Sequence, residues 1–346
     1  MSNADARQDI SRPLGHFAVV ERLDRLAEAG TGNSETGRRH GIPHALLFAG
    51  PDGVGKFKTA LWWAARIKCE LRSDDGSASS AGSCHCASCQ QVAVGSHPDV
   101  LVVAPEAAGK MIKIDPIREA LIPTLSLRPV RPGPRIAIVR EAESLNVHAQ
   151  NAMLKVLEEP PGNAVIILVT GSRSALLPTI RSRCQTVRFG PLGRESLEAI
   201  LTARGFTPDN ARSAAAIARG SVGKALECDE ETLADRVDLI VAFEGFRSGT
   251  GPSMEELVAD LVDRRKTERA ELPVLLEWQL RKIETAYGCH AGVESDTLAP
   301  LMEQAVSEQP ERLINDATRT RTAIRHLERN ANRKLALRDM LLDIRA

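Results

Sequence analysis

The sequence has few aromatic residues, no net charge and no long apolar run, and each absence excludes a class of protein. Phe, Trp and Tyr make up 3% of the 346 residues, which argues against a stacking platform for single-stranded nucleic acid. Lys plus Arg equals Asp plus Glu at 45 each, so no overall field draws the chain to a phosphate backbone. No apolar run reaches the roughly 18 residues that a membrane helix needs, and the N-terminus lacks a signal-peptide segment. We therefore expect a soluble, cytoplasmic protein of two or three domains.

The seven cysteines are an odd number, which in a cytoplasmic protein disfavours a disulfide framework. Four of them, Cys69, Cys84, Cys86 and Cys89, fall within 21 residues. Thiolates in a group of four suit tetrahedral zinc, and Cys86 and Cys89 have the Cys-x2-Cys spacing usual in such sites. His85 is an alternative ligand to Cys84, and unliganded thiols are the alternative to a metal. Because four protein ligands leave no open coordination position, the predicted zinc is structural.

The first half of the chain alternates short apolar runs with helical patterns. Near-continuous runs of Val, Ile and Leu separated by helices indicate a parallel sheet covered on both faces. The predicted strands are residues 45–50, 99–105, 135–141, 164–170 and 186–190, and the predicted helices are residues 56–69, 116–125, 146–159 and 175–183. This half is therefore expected to be an α/β domain.

The second half has no strand pattern and predicts helices. Residues 194–227 are typical of three short helices, and the pattern from about Glu231 onward is again helical, with a loop predicted at Phe246–Met254. A Ser- and Gly-rich stretch, residues 73–83, is typical of a flexible insert. The predicted domains are residues 1–190, with the cysteine-bearing insert at 69–89, then a small helical domain at 191–230 and a larger helical domain at 231–346.

The stretch GPDGVGKF, Gly50–Phe57, is similar to a phosphate-binding loop with a changed last position. In such a loop, backbone N–H groups hold phosphates at a helix N-terminus, a lysine contacts the β- and γ-phosphates, and a Ser or Thr binds magnesium. The required spacing is present at Gly50, Gly53, Gly55 and Lys56. Phe57, however, has no oxygen for the metal. A tight strand–helix turn without any ligand is the alternative.

The second magnesium-binding element of such a site is changed as well. It should be an apolar strand that ends in Asp-Glu, whereas this strand ends IAIVRE, with Arg140 at the aspartate position and Glu141 kept. A cation repels magnesium, and an acid without a metal has little effect on phosphoryl transfer. Thr59 cannot replace the missing hydroxyl, because it lies about 200° around the helix from Phe57. We expect the shape of a nucleotide site without hydrolysis, and leave open whether nucleotide binds.

Four further stretches connect the chain to a known family: GSHPDV (Gly95–Val100), NAMLKVLEEPPGNAVIILVT (Asn151–Thr170), LLPTIRSRC (Leu176–Cys184) and GSVGKAL (Gly220–Leu226). Together with the loop at Gly50 they resemble the clamp-loader branch of the AAA+ proteins, and within it the delta-prime family of bacterial DNA polymerase III. The resemblance is densest before Pro191. It implies an α/β AAA+ P-loop domain, a small helical lid domain and a C-terminal all-α collar domain that holds a hetero-pentamer together. An ordinary helical bundle is the alternative to the collar.

The resemblance also implies a function. Clamp loaders use ATP to open a ring-shaped sliding clamp and to place it on primed DNA, and they contain gamma/tau motor subunits and delta. In this family delta-prime is usually a non-motor member, and the arginine of its SRC motif, here Arg183, reaches as a finger into the ATP site of a neighbouring motor subunit. Such a finger neutralises charge that develops on the transferred phosphoryl group. The alternative is an arginine that only caps a helix C-terminus through a salt bridge.

Departures from the motor pattern agree with a non-motor subunit. Gly223 stands where motor subunits of the family carry a phosphate-sensing arginine, and Lys224 is one position away. Clamp-loader subunits of the family also carry a four-cysteine zinc module at the position of this cysteine cluster, and Cys84 departs from its spacing by one residue. Two other hypotheses remain. An active motor subunit predicts magnesium-dependent ATP turnover, and a DNA-binding module at the zinc loop is disfavoured by zero net charge and few aromatics.

Overall fold

The computed structural model divides the chain into two compact units, one that ends at Leu192 and one that begins at Gly193. The structure describes residues 10–29, 42–71, 84, 86–107, 109–218, 220–226, 230–263, 268–288, 298–328 and 331–345. The Ser- and Gly-rich insert and His85 lie outside these ranges. Within them, no helix is both long and apolar enough to cross a membrane.

The first unit is built around a five-stranded parallel sheet. The strands are β1 (Ala45–Ala49), β2 (Val100–Val103), β3 (Arg135–Val139), β4 (Ala164–Thr170) and β5 (Gln185–Arg188). They lie in the order β2-β3-β4-β1-β5, and all four pairings are parallel. Every residue of β1, β3 and β4 is buried. This is the burial that a parallel sheet with helices on both faces requires, and it confirms the predicted α/β architecture.

Helices cover the two faces of this sheet. They are α1 (Phe17–Ala29), α2 (Lys56–Lys68), α3 (Ala87–Ala93), a π-helical turn (Pro116–Leu121) that continues into α4 (Ile122–Ser126), α5 (Val147–Glu158) and α6 (Pro178–Arg183). Side chains of β1 alternate between the faces. Leu46 and Phe48 belong to the cluster that includes α1, α2 and α3. Leu47 belongs to the opposite cluster, which includes α5 and α6.

Local signals explain where α5 begins and ends. The side chain of Asn146 accepts a hydrogen bond from the backbone N–H of Ala149 at 2.8 Å, which caps the first turn. The helix ends at Glu158, before the two prolines that cannot continue it. The cap and the stop predicted from the sequence are both confirmed. Helix α5 therefore ends within the LEEPP motif, after Leu157 and Glu158.

The second unit contains helices only among its described residues. They are α7 (Arg194–Thr202), α8 (Pro208–Ala218), α9 (Val222–Leu226), α10 (Glu230–Ser248), α11 (Met254–Asp263), α12 (Glu268–Ala286), α13 (Ala299–Ser307), α14 (Pro310–Glu328) and α15 (Arg333–Arg345). One hydrophobic cluster runs from Leu197 to Ile344. The loop predicted from Phe246 is shorter than expected, because Phe246 is 1% exposed and packs in that cluster as part of α10. The division into lid and collar at residue 230 stays a prediction.

Candidate functional sites

The turn between β1 and α2 needs glycine for reasons of backbone geometry. Gly53 and Gly55 have φ angles of 75° and 97°, in the left-handed region that residues with a side chain rarely adopt. A Cβ atom on Gly50 would lie 2.1 Å from the carbonyl oxygen of Phe189. The three glycines therefore shape this turn with or without a ligand, so their spacing alone does not establish a nucleotide site.

Lys56 is held by the loop itself. Its ammonium group donates hydrogen bonds to the carbonyl oxygens of Gly50 at 2.7 Å and Pro51 at 2.5 Å, and it lies 3.5 Å from Oδ1 of Asp52. The side chain is 6% exposed. Burial lowers the pKa of Lys56, and the Asp52 carboxylate opposes this effect. An ammonium group has three N–H donors, so a phosphate would have to displace contacts that the loop already makes.

The two changed magnesium positions contact each other. The guanidinium carbon of Arg140 lies 5.2 Å from the ring centroid of Phe57, within the range of a cation–π interaction. Nε of Arg140 also lies 3.3 Å from a carboxylate oxygen of Glu141, the acid that the motif keeps. Thr59 is fully buried, and its hydroxyl donates to the carbonyl oxygen of Gly55 at 2.9 Å. A cation therefore lies beside the ring that replaces the metal-binding hydroxyl, and Thr59 is already engaged.

Four cysteines come together at the opposite end of α2. Cys69 directly follows α2, Cys86 precedes α3 and Cys89 lies in the first turn of α3. Their sulfur atoms and that of Cys84 all lie within 4.8 Å of one another. Zn–S bonds of about 2.3 Å in a tetrahedron place sulfur atoms about 3.8 Å apart. The group therefore fits such an ion, and Cys84 belongs to it in spite of its one-residue shift.

The pKa values of three thiols in the cluster are shifted from the usual value. Burial and the neighbouring Cys84 thiol raise the pKa of Cys69 to about 11. Burial and the Cys86 thiol raise the pKa of Cys89 as well. The pKa of Cys86 is lowered, because hydrogen bonds from the backbone and thiol of Cys89 outweigh burial. A metal ion deprotonates coordinating thiols and compensates the crowded negative charge, so these four residues are able to hold one.

The GSHPDV segment anchors the cysteine-bearing helices to the sheet. The carboxylate of Asp99 is fully buried; it accepts a hydrogen bond from Nζ of Lys68 at 2.9 Å and two from backbone N–H groups before β3. Nδ1 of His97 accepts from the backbone N–H of Asp99 at 3.0 Å, so its Nε2–H donates to Oγ of Ser88 at 2.9 Å. Burial and Lys68 lower the pKa of His97. The sequence identifies this segment only as a family signature and does not reveal the anchor, although Lys68 directly precedes Cys69.

Arg183 is the last residue of α6, and its side chain is 35% exposed. Nη1 donates a hydrogen bond to the carbonyl oxygen of Thr179 at 3.0 Å, and Nη2 lies 2.6 Å from Oε1 of Glu158. The cap and the salt bridge of the alternative interpretation are therefore both present. About a third of the side chain nevertheless faces solvent, so a role as a finger is geometrically open and stays a prediction.

Gly223 and Lys224 lie on α9 in the second unit. Nζ of Lys224 forms an ion pair with Glu277 of α12, and its backbone N–H donates to the hydroxyl of Ser221 at 3.3 Å. The cation one position from Gly223 is thus engaged within its own unit. A role of these residues in phosphate sensing is not tested by these contacts.

Comparisons with known proteins agree with the sequence motifs. A family model described as DNA polymerase III, delta subunit, matches residues 34–193. The DNA polymerase III subunit delta' of Pseudomonas aeruginosa is 41% identical over 155 residues, which are 44% of this chain and 44% of that protein. The subunit delta' of Escherichia coli is 28% identical over 329 residues, 90% of each chain. The gamma/tau subunit of Mycobacterium tuberculosis is 31% identical over 228 residues, 64% of this chain and 38% of that protein.

These matches confirm the resemblance to the delta' subunits of DNA polymerase III. The matched region of the family model contains the Gly50 loop, the cysteine cluster and Arg183. The chain spans less than two thirds of the length of several curated relatives that it matches. What those proteins do is therefore carried over below only as a proposal.

Proposed function

We propose that this relative of the DNA polymerase III delta' subunits acts as a non-motor subunit of a clamp loader. In this role it supports the ATP-dependent opening of a sliding clamp and its placement on primed DNA, without turning over ATP itself. Its partners are gamma/tau-type motor subunits and delta in a hetero-pentamer, with clamp and DNA reached through the complex. It then belongs to the cytoplasmic DNA polymerase III holoenzyme, a nucleotidyltransferase.

The contact between Phe57 and Arg140 is the observation that carries this proposal. Catalysis of phosphoryl transfer depends on magnesium bridging the β- and γ-phosphate oxygens. Here the hydroxyl ligand is absent, and a guanidinium lies 5.2 Å from the ring that replaces it. The proposal concerns hydrolysis; binding of a nucleotide, if it occurs, would involve the loop glycines Gly50, Gly53 and Gly55 together with Lys56.

In this proposal, Arg183 contributes a positive charge to the ATP site of the neighbouring motor subunit. A guanidinium has five N–H donors in a fixed plane and stays charged at all physiological pH values. Placed against the γ-phosphate of ATP held by a motor subunit, it stabilises the charge of the transition state. The chain then acts through what it presents to its neighbour.

The cysteine cluster is proposed as a structural zinc site. Cys69, Cys84, Cys86 and Cys89 would hold the ion, which supplies no chemistry beyond fixing α2 against α3. Four thiolate ligands complete a tetrahedron and leave no position for water. The neighbouring Asp99–Lys68 pair, buried at 2.9 Å, supports a structural role for this region.

An active motor subunit is the second candidate function, favoured by the 31% identity to a gamma/tau subunit. It requires another oxygen ligand to replace the hydroxyl missing at Phe57. The Thr59 hydroxyl already donates a hydrogen bond to the carbonyl oxygen of Gly55, and the Glu141 carboxylate is paired with Arg140. The geometry therefore favours the non-motor role.

The first experiment is ATP turnover by the purified chain, with and without magnesium. We expect no magnesium-dependent turnover, and clear turnover would overturn the non-motor assignment. The second is Arg183→Ala in a loader assembled with gamma/tau-type motor subunits and delta. We expect intact assembly with turnover at the adjacent site reduced by roughly 10³-fold. Unchanged turnover would reduce Arg183 to the helix cap.

The collar role of residues 231–346 needs a separate test. A truncation near Glu231 would cut the hydrophobic cluster that runs from Leu197 to Ile344, so loss of binding there would be ambiguous. A truncation after Leu192 leaves the first unit whole. We expect the truncated chain to fold and to lose co-purification with the motor subunits. Retained co-purification would contradict the collar assignment.

A further inference from the structure

Helix α5 contacts the beginning of the arginine-bearing helix α6 through one buried side chain. Gln150, which is 4% exposed, accepts a hydrogen bond from the backbone N–H of Leu177 at 2.8 Å, and Nε2 donates to the carbonyl oxygens of Leu145 and Ala175. Ile180, in the middle of α6, is fully buried. A satisfied buried amide and a buried apolar side chain fix the path of a helix, so α6 as a whole is held without Arg183.

The end of α5 contacts the end of α6 through Glu158 and Arg183. Oε1 of Glu158 lies 2.6 Å from Nη2 of Arg183, while Nη1 donates to the carbonyl oxygen of Thr179. The carboxylate and the carbonyl thus hold two different nitrogens of one guanidinium. Since a guanidinium is planar, two such contacts set the direction of the whole group. Nη1 also donates to Oγ of Ser182 at 3.4 Å. Among the described residues, the Nε–H and the second N–H of Nη2 have no partner and are left for a second anion.

We propose that Glu158 of the LEEPP motif is a positioning residue, which orients the guanidinium of Arg183 toward the γ-phosphate held by the neighbouring motor subunit. This inference rests on the proposed role of Arg183 as a finger. The exposed fractions, 49% for Glu158 and 35% for Arg183, argue against a role in folding. Ion pairs this exposed contribute little to the stability of a protein, because solvent screens them. Orientation of a charged group is a different matter, because a small misplacement of a catalytic group lowers the rate far more than it lowers stability.

Glu159 provides a matched control for Glu158. It has the same charge, is the next residue in the sequence, is exposed, and its side chain makes no ion pair with any residue the structure describes. A general change in surface charge affects both positions equally. Only loss of the contact with Arg183 is specific to Glu158.

The test measures kcat and KM for ATP in the full loader, assembled with gamma/tau-type motor subunits, delta, clamp and primed DNA. The variants are Glu158→Lys, Glu158→Gln, Glu159→Lys, Arg183→Ala and the double variant Glu158→Lys with Arg183→Ala. We expect Glu158→Lys to lower kcat at the adjacent site by roughly 10-fold with KM unchanged, since the contact acts on the transition state. Glu158→Gln should lower it less, and Glu159→Lys should not lower it. In the Arg183→Ala background, Glu158→Lys should have no further effect.

The outcomes separate this inference from the proposed function. If Arg183→Ala lowers turnover but Glu158→Lys behaves like Glu159→Lys, Glu158 has no positioning role and the finger stands. If Glu158→Gln raises turnover, Glu158 masks the arginine and the inference is wrong. If Glu158→Lys and Arg183→Ala act independently in the double variant, the effect does not pass through Arg183. If Arg183→Ala has no effect, the finger itself is refuted. Should Glu158→Lys fail to assemble, Glu158→Gln keeps these outcomes readable.

Discussion

The two cations that the motifs of the first unit single out, Lys56 and Arg183, have opposite environments. Lys56 begins α2, is 6% exposed and gives its hydrogen bonds to its own loop. Arg183 ends α6, is 35% exposed and keeps part of its guanidinium in solvent. A helix N-terminus disfavours a cation and a C-terminus favours one. The helix dipole therefore opposes the charge of Lys56, which nearby oxygens must compensate, and it favours the charge of Arg183.

The comparison bears on the proposal that the Gly50 loop keeps the shape of a nucleotide site without its hydrolysis. With the loop carbonyls in the place of phosphate oxygens, the Lys56 contacts are satisfied within the chain. The guanidinium of Arg140 lies beside Phe57, so a protein cation is near the ring that replaces the metal-binding hydroxyl. Of these two cations, Arg183 on α6 is the one with a substantial part of its side chain exposed to another molecule.

The largest expected difference between Arg183 and Lys56 is in ATP turnover by the assembled loader. We expect Arg183→Lys to lower turnover at the adjacent site by roughly 10²-fold or more, because an ammonium group cannot reproduce the planar fork. Lys56→Met should leave loader turnover unchanged, since its hydrogen bonds remain within the loop. Steady-state ATP hydrolysis with clamp and primed DNA measures both. Equal losses in the two variants would remove the contrast between these residues.

Metal removal tests the region at the opposite end of α2 from Lys56. We expect a zinc chelator to lower the thermal midpoint of the chain by roughly 10 °C, because structural zinc contributes its binding free energy to folding. Metal content by mass spectrometry and a thermal scan measure this effect. A Cys86→Ser variant is the control, since its midpoint should no longer respond to chelator. An unchanged midpoint in a metal-containing wild-type chain would argue against a structural site.

For the free energy of unfolding we expect the opposite order, with a larger loss from substitution of Lys56 than from substitution of Arg183. Lys56→Met removes the donor to two carbonyls and should cost about 1–2 kcal/mol, whereas Arg183→Ala removes an exposed pair worth about 0–1 kcal/mol. Because burial lowers the pKa of Lys56 below its usual value of 10.5, the unfolded chain binds more protons than the native one just below that value. Stability should therefore rise with pH in that window, and Lys56→Met should remove this rise. Denaturant titrations across the alkaline range measure both effects.

The smallest effect concerns the contact beside Lys56. A double-mutant cycle with Phe57→Leu and Arg140→Gln should give a coupling of about 0.5–1 kcal/mol, as for an exposed cation–π pair. Urea unfolding of the four proteins measures it. A coupling near zero would mean that the two changed positions act separately and only as lost ligands.

Much of the fold follows from periodicity. The strands at β1 and β4 and the helices α2 and α5 were predicted nearly to their observed bounds, because buried parallel strands are continuous apolar runs and helices carry caps and stops. Helices α1 and α3 were not predicted. Helix α3 is only seven residues long, too short for its helical periodicity to stand out in the sequence.

The sequence by itself determined the α/β plan, the four cysteines suited to a metal, and the absence of magnesium ligands at Phe57 and Arg140. These follow from residue type and local spacing. Only the tertiary structure decided that Lys56 bonds to its own loop, that Arg140 meets Phe57, and that Glu158 holds Arg183. Each of these last contacts depends on which oxygen or ring lies within a few ångströms of a flexible cationic side chain. These distances are set by how α2, α5 and α6 pack on the sheet that contains β3, and residue types alone do not specify them.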